Sequence, residues 1–206
     1  MSILNDVTVF DFETSGLDSK NCRVIEMAAI RCINGEIVSQ FDTIVRQDFP
    51  GGLDPKIIDL TGITPYMLST GMNELLAFKI LKNLIGESLL VAHNAAFDLA
   101  FLHHSLMRLA GKTYGNSFID TCTISRDRHV YPHKLTDMCD RYDIALSGAH
   151  RALNDVLATW DLLKALDAEG SVSGYVNRLG YLDKYGPPSW APEHATLVPM
   201  KNRYAG

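Results

Sequence analysis

The chain has 206 residues, of which 47% are hydrophobic and 21% charged, and its formal net charge is −5. That length holds one domain, or one domain with an appendage, and can bury a core without disulfides or a structural metal. The negative balance argues against a broad basic groove, no run approaches the roughly eighteen apolar residues of a membrane span, and MSILNDVTVF lacks the basic-then-apolar pattern of a secretory leader, so no membrane partner is expected and the cytoplasm is the default compartment. The four cysteines, Cys22, Cys32, Cys122 and Cys139, form no CxxC pair and read as reduced, buried thiols.

In chain order, residues 7–13 (VTVFDFE) read as a mostly apolar strand ending in carboxylates. Residues 24–33 and 36–45 read as two further strands, and Asn34-Gly35 between them is a strong hairpin signal. Asp54-Pro55 and Thr64-Pro65 each look like a helix cap followed by a first helical residue, with Gly62 as a stop between them. Residues 73–84 carry a broad apolar face at helical spacing and end at Gly86. Residues 88–92 (SLLVA) suit a buried strand, and Asn94 can cap a helix running to about residue 110. A strand over 117–123, a short helix over 135–142 and a long helix over 151–167 follow. Three strands with a hairpin, then helices alternating with strands, predict an α/β fold around a mixed sheet. After Gly170 the composition shifts. Residues 1–170 are expected to form the main domain, and 171–206 a C-terminal extension with a short helix near 172–178 and an irregular tail.

Three segments carry chemistry. In a strand, residues two apart share a face, so Asp11 and Glu13 project together from the end of the first strand. Two adjacent carboxylates repel, and a hard divalent cation such as Mg²⁺ or Mn²⁺ relieves that repulsion. A strand edge with solvated acids would carry the same letters. Ser15-Gly16 then turns the chain and leaves backbone free to approach a ligand. The second segment is HNAAFD, a strand end, a cap and a first helical turn that contains Asp98; the helix dipole favours an acid there in any case. His93 reads as a structural residue at the strand end. The third is HRALND. Five helical residues turn through about 140° beyond a full turn, so His150 and Asp155 converge only if His150 lies on the loop before the helix. Ser147-Gly148 supports such a loop, and a histidine there can titrate near neutral pH as a general base.

Taken together, the order D-x-E, D, H-x₄-D resembles the DnaQ-like, or DEDDh, exonuclease family. The matching strings are VFDFETSGLD, LTGIT, VAHNAAFDLAFL and HRALNDVLATWDLL, spread over roughly residues 5–167. The resemblance implies a ribonuclease H-like fold, a mixed five-stranded sheet flanked by helices. It also implies 3′-to-5′ hydrolysis of nucleic acid with two divalent cations, Mg²⁺ or Mn²⁺. A sister group carries tyrosine four residues before the last aspartate; Arg151 stands there, and the histidine is present instead. By the same resemblance Asp11 bridges both metals, Glu13 and Asp155 complete the first site, and Asp98 holds the second. His150 takes a proton from the attacking water, and Thr14, Leu17 and Phe97 meet the terminal nucleotide.

With four carboxylates assigned to metal, the remaining surface is close to neutral, so binding of a nucleic-acid 3′ end should be local and shallow. Residues 126–134 (RDRHVYPHK) form the most basic stretch, either tracking a phosphate backbone or simply solvated. His103 and His104 read as surface or partly buried helix residues. Trp190 is expected to pack within the chain, with docking on a partner as the other reading. A DNA-proofreading or repair enzyme is favoured, with a polymerase or other replication or repair protein as a partner. A small-RNA exonuclease stays open, as does an adaptor of a polymerase in which hydrolysis is secondary.

Overall fold

In the computed structural model, which describes residues 3–146, 148 and 151–204, the chain builds its sheet around β1 (Asp6–Thr14). β2 (Val24–Ile33) and β3 (Glu36–Ile44) follow as an antiparallel pair joined through Asn34 and Gly35, both with positive φ as that tight turn requires. β4 (Leu89–Ala92) and β5 (Phe118–Asp120) then add in parallel. The order is β3-β2-β1-β4-β5, a mixed five-stranded sheet with β1 at its centre.

Helices cover both faces. α1 (Pro55–Thr61) and α2 (Pro65–Thr70) start where expected: the side chains of Asp54 and Thr64 accept backbone N–H bonds ahead of each proline. α3 (Glu74–Ile85) is capped by Asn73, and α4 (Ala95–Ala110) follows β4. α5 (Thr121–Arg128), α6 (Leu135–Arg141) and α7 (Ala152–Glu169) complete the set. Side-chain alternation along β1 sorts the layers. Phe10 and Phe12 pack with Phe78 of α3 and Leu99 of α4 on one face, while Val7 and Val9 pack with Val156, Trp160 and Leu163 of α7 on the other. By the same alternation Asp11 and Glu13 fall on the α7 face.

Two expectations need correction. The strand expected over 117–123 stops at Asp120, and α5 begins at once. Thr121, Thr123 and Ile124 are β-branched and suggest a strand, but the Asp120 carboxylate accepts the Cys122 N–H and starts a helix instead. The extension is also more regular than expected. It holds a single 3₁₀ turn at Ser173–Tyr175, then β6 (Arg178–Leu182) and β7 (Thr196–Met200), which pair in parallel as a two-stranded ribbon.

That ribbon is docked. Asn177 N–H donates to the Phe118 carbonyl, the Asn177 side chain accepts the Phe118 N–H, and Gly180 N–H donates to Thr123 Oγ1 at 2.7 Å. A Cβ at position 180 would collide with Met200 Sδ and crowd Thr123. Leu179 is buried in the main core, and Trp190 stacks on His103 of α4 with ring centroids 4.3 Å apart. All four cysteines are free, three of them buried. No helix among the described residues is long and apolar enough to cross a membrane.

Candidate active site

β1 and β4 run parallel with Val9 opposite Val91, so their C-terminal ends open side by side. Crevices at that end of an open α/β sheet are the usual place for ligands. Here a cavity of about 360 Å³ is lined by Asp11, Glu13, Leu17, Phe97, Asp98 and Asp155, with Leu135 and the His93-Asn94 loop at its edge. Carboxylate oxygens of Asp11, Glu13 and Asp155 all lie within 4.8 Å of one another. Asp98 enters from α4, nearly fully buried, and accepts the backbone N–H of Phe12 at 3.1 Å, between the two β1 acids. The four acids separated by up to 144 positions in sequence therefore share one cavity.

Electrostatics follow from this crowding. Loss of solvent and the negative charges of Asp98, Glu13, Asp155 and Glu26 push the Asp11 carboxyl well above the usual carboxylate range. Burial, with Asp155 and Glu26 beside it, pushes Glu13 up to about 7, against a downward pull from Arg151. Asp98 is raised by burial, opposed by its backbone hydrogen bonds. Such a group of acids is neutralised either by protons or by cations. The donor set is all carboxylate, the oxygen chemistry that hard divalent cations prefer, so the residues fit a metal site.

The three residues predicted to meet a nucleotide divide. Leu17 stands at the cavity mouth, 87% exposed, an isolated apolar side chain offered to a ligand. Phe97 lines the wall and is backed by Phe101, with ring centroids 4.9 Å apart. Thr14 is not part of the lining: it is buried, and its hydroxyl donates to the Gly16 carbonyl at 2.7 Å, closing the turn after β1. At Gly16 a Cβ would sit 2.7 Å from Cys22 Sγ, so a larger residue there would have to displace that side chain. His150 lies outside the described residues. Nearby, Gly148 has φ +67°, its carbonyl accepts from the Asn154 side chain at 3.0 Å, and α7 begins at Ala152.

Two acids outside the motifs position those within them. Asp120, buried at the end of β5, accepts the N–H groups of Asn94 at 2.8 Å and Ala95 at 3.1 Å, as well as that of Cys122. It caps α4, the helix that carries Asp98. Asn94, expected to cap through its side chain, makes no such bond and instead takes a left-handed φ of 68°. Glu26, opposite Glu13 in the β1–β2 register, pairs with the Arg151 guanidinium at 2.8 Å and accepts the Ala152 N–H at 3.2 Å. It anchors the start of α7 and so the turn that carries Asp155. Neither role has a local sequence signal, because each partner comes from a distant element. His93 is structural, as expected: its ring bonds Thr121 Oγ1 and the His133 carbonyl, both at 2.9 Å.

Comparison with known proteins identifies the family and the fold. The chain is 33% identical over 205 residues to the DNA polymerase III PolC-type protein of Bacillus subtilis, covering 94% of this chain and 14% of that one. It is 38% identical over 169 residues to the PolC-type protein of Halalkalibacterium halodurans, covering 77% of this chain and 11% of the relative. It thus spans only a small part of the length of these relatives. Among solved structures, Escherichia coli exonuclease I in complex with a dT13 oligonucleotide superposes with a TM-score of 0.69 at 20% identity, over 79% of this chain and 41% of that one. The zinc-bound form of the same enzyme with single-stranded DNA gives 0.71 at 20% identity, over 80% and 41%. These structures share the ribonuclease H-like fold. Residues 8–163 match the exonuclease family of the RNase T type, and the chain belongs to that family.

Proposed function

We propose that the protein removes nucleotides one at a time from the 3′ end of a nucleic acid, releasing 5′-mononucleotides with the help of two divalent cations, Mg²⁺ or Mn²⁺. The observation that carries this reading is the convergence of Asp11, Glu13 and Asp155 within 4.8 Å, in a cavity that also holds Asp98. Asp11, Glu13 and Asp155 would hold the first ion, and Asp11 with Asp98 the second. The pair of ions would supply charge stabilisation for the attacking and leaving oxygens of a phosphodiester, which is anionic and resists hydroxide.

The chain's own residues do the rest. Leu17 and Phe97 offer apolar surface on which the terminal nucleotide can rest beside the acids. His150, the residue that the family resemblance assigns as general base, would accept a proton from the attacking water. Glu26 and Asp120 hold α7 and α4 in register, so that their acids meet those of β1.

Biologically, we read the chain as a DNA-proofreading or repair exonuclease that works with a polymerase or another replication or repair protein. The motivation is the name of the relatives, DNA polymerase III PolC-type. The test is digestion of matched 3′-labelled DNA and RNA oligonucleotides, single- and double-stranded, with Mg²⁺, Mn²⁺ or excess chelator. Label should leave as 5′-mononucleotide from the 3′ end of DNA, and chelator should stop it. Faster release from RNA would move the substrate to small RNA. Initial release from the 5′ end, cutting of a circular strand, or chelator-resistant turnover would overturn the reading.

A further inference from the structure

The cavity that holds the acids is not isolated. A second cavity of about 500 Å³ shares His93, Asn94, Leu135 and Asp155 with it, and extends away between α5, α6 and the ribbon. A third, of about 250 Å³, shares Leu182 and Asn202 with the second and lies at the C-terminal ends of β6 and β7. The three therefore adjoin in series, from the carboxylates to the C-terminal extension.

The lining of this series differs in charge from the rest of the molecule. Arg126 and Lys134 face the second cavity, Lys184 and Lys201 the third, against a single carboxylate beyond the acid cluster, Asp183. That is a local positive excess in a chain of net charge −5. Interleaved with the cations are Tyr131 and Tyr204, 50% and 69% exposed, with ring centroids 5.7 Å apart. The Tyr131 N–H donates to the Arg203 carbonyl at 2.7 Å, tying the loop after α5 to the end of the ribbon. Asn202 lines both cavities, the second together with Tyr131 and the third together with Tyr204. Cations that follow a backbone and aromatic faces on which bases stack are the parts from which single-strand sites are made. A duplex could not use the tyrosines, because its bases already stack on one another.

We propose that the C-terminal ribbon completes a track for the single strand lying 5′ of the terminal nucleotide, with Lys184 and Lys201 on its phosphates and Tyr131 and Tyr204 under its bases. This rests on the exonuclease reading for its direction, since the strand must lead into the acid cavity. It assigns the extension to substrate recognition, and only part of the basic 126–134 stretch takes part. Arg128 is turned inward onto the Gly170 carbonyl at 2.9 Å, and His129 onto Tyr142 at 2.7 Å.

The test has two arms on the full chain. In the first, fluorescence anisotropy of 5′-labelled oligothymidylates of two to ten nucleotides is followed with Ca²⁺ over a range of salt. Affinity should rise with length beyond the dinucleotide. Lys184→Ala and Lys201→Ala should each lower the salt slope, log K against log salt, by about 0.7. Tyr204→Ala should weaken the ten-nucleotide strand about tenfold. Tyr204→Leu, which keeps bulk without a stacking face, should weaken it nearly as much. In the second arm, with Mg²⁺, the ratio of kcat/KM for the ten-nucleotide strand to that for a dinucleotide should fall in the same variants. Unchanged salt slopes, affinity independent of length, or duplex bound as tightly as single strand would overturn the track. Length-dependent binding lost in the variants, with no hydrolysis of any strand by the wild type, would leave the track standing and overturn the exonuclease reading instead.

Discussion

At the scale of single residues, burial and mutual repulsion act together on the crowded carboxyl groups of Asp11, Glu13 and Asp98. Asp11 feels every other acid in the cavity, so Asp11→Ala should abolish hydrolysis. It should also relieve repulsion in the metal-free protein, whose melting temperature should hold or rise by roughly 2–4 °C, the shift expected for about 1 kcal/mol in a chain of this size. Near-normal activity in that variant would remove Asp11 from the site. His150→Gln keeps size and a hydrogen-bonding group but loses the titrating nitrogen. It should lower kcat by roughly 10²–10⁴-fold while calorimetric metal titration stays as in the wild type. Metal affinity that falls in step with kcat would make His150 a ligand.

At the scale of elements, the site depends on two helix starts held from outside. Asp120→Ala leaves the N–H groups of Asn94, Ala95 and Cys122 without their shared acceptor in a buried place. A loss of about 2–4 kcal/mol in chemical denaturation is expected, with Asp120→Asn recovering part of it. A wild-type denaturation midpoint in Asp120→Ala would mean that water serves those donors equally well. Gly180→Ala tests the ribbon: its methyl group meets Met200 and Thr123, so the variant should lose about 1–3 kcal/mol as an overpacked contact. Amide exchange should quicken over residues 178–200 first, and uniform protection there would show that β6 adapts without undocking.

For the whole molecule, the acid cluster links stability to pH and metal. Glu13 holds its proton up to about pH 7 in the folded state, against an ordinary value of 4.5. Its contribution to the metal-free fold is therefore complete below about 4.5 and is lost as pH rises through 7, with Asp11 and Asp98 acting in the same direction. Glu13→Gln mimics the protonated acid. Without metal, the variant should melt above the wild type at pH 7–8, and the gap should close toward pH 5. With Mg²⁺ or Mn²⁺ the order should reverse, because the cation favours the ionised carboxylates of the wild type. Thermal melts across that range, with and without metal, read both signs, and a gap that ignores pH would rule out a raised Glu13.

The amino-acid sequence by itself determined the course of the chain through the sheet and the identity of the acids. Asn34-Gly35, Asp54-Pro55 and Thr64-Pro65 are local signals whose chemistry acts within a few residues, and alternation along β1 alone puts Asp11 and Glu13 on one face. The four motif strings carry the family because they span most of the domain in a fixed order. Only the tertiary structure decided how the acids are held. The Glu26–Arg151 pair joins positions 125 residues apart, and Asp120 reaches α4 from 25 residues downstream, so neither leaves a periodic or local trace. Thr14 has the same letter whether its hydroxyl faces a ligand or closes a turn, and here it bonds Gly16. The ribbon escaped for a related reason: β6 and β7 are short, half-exposed and parallel, and what makes them strands is docking on Phe118 and Thr123, contacts that no window of neighbouring residues contains.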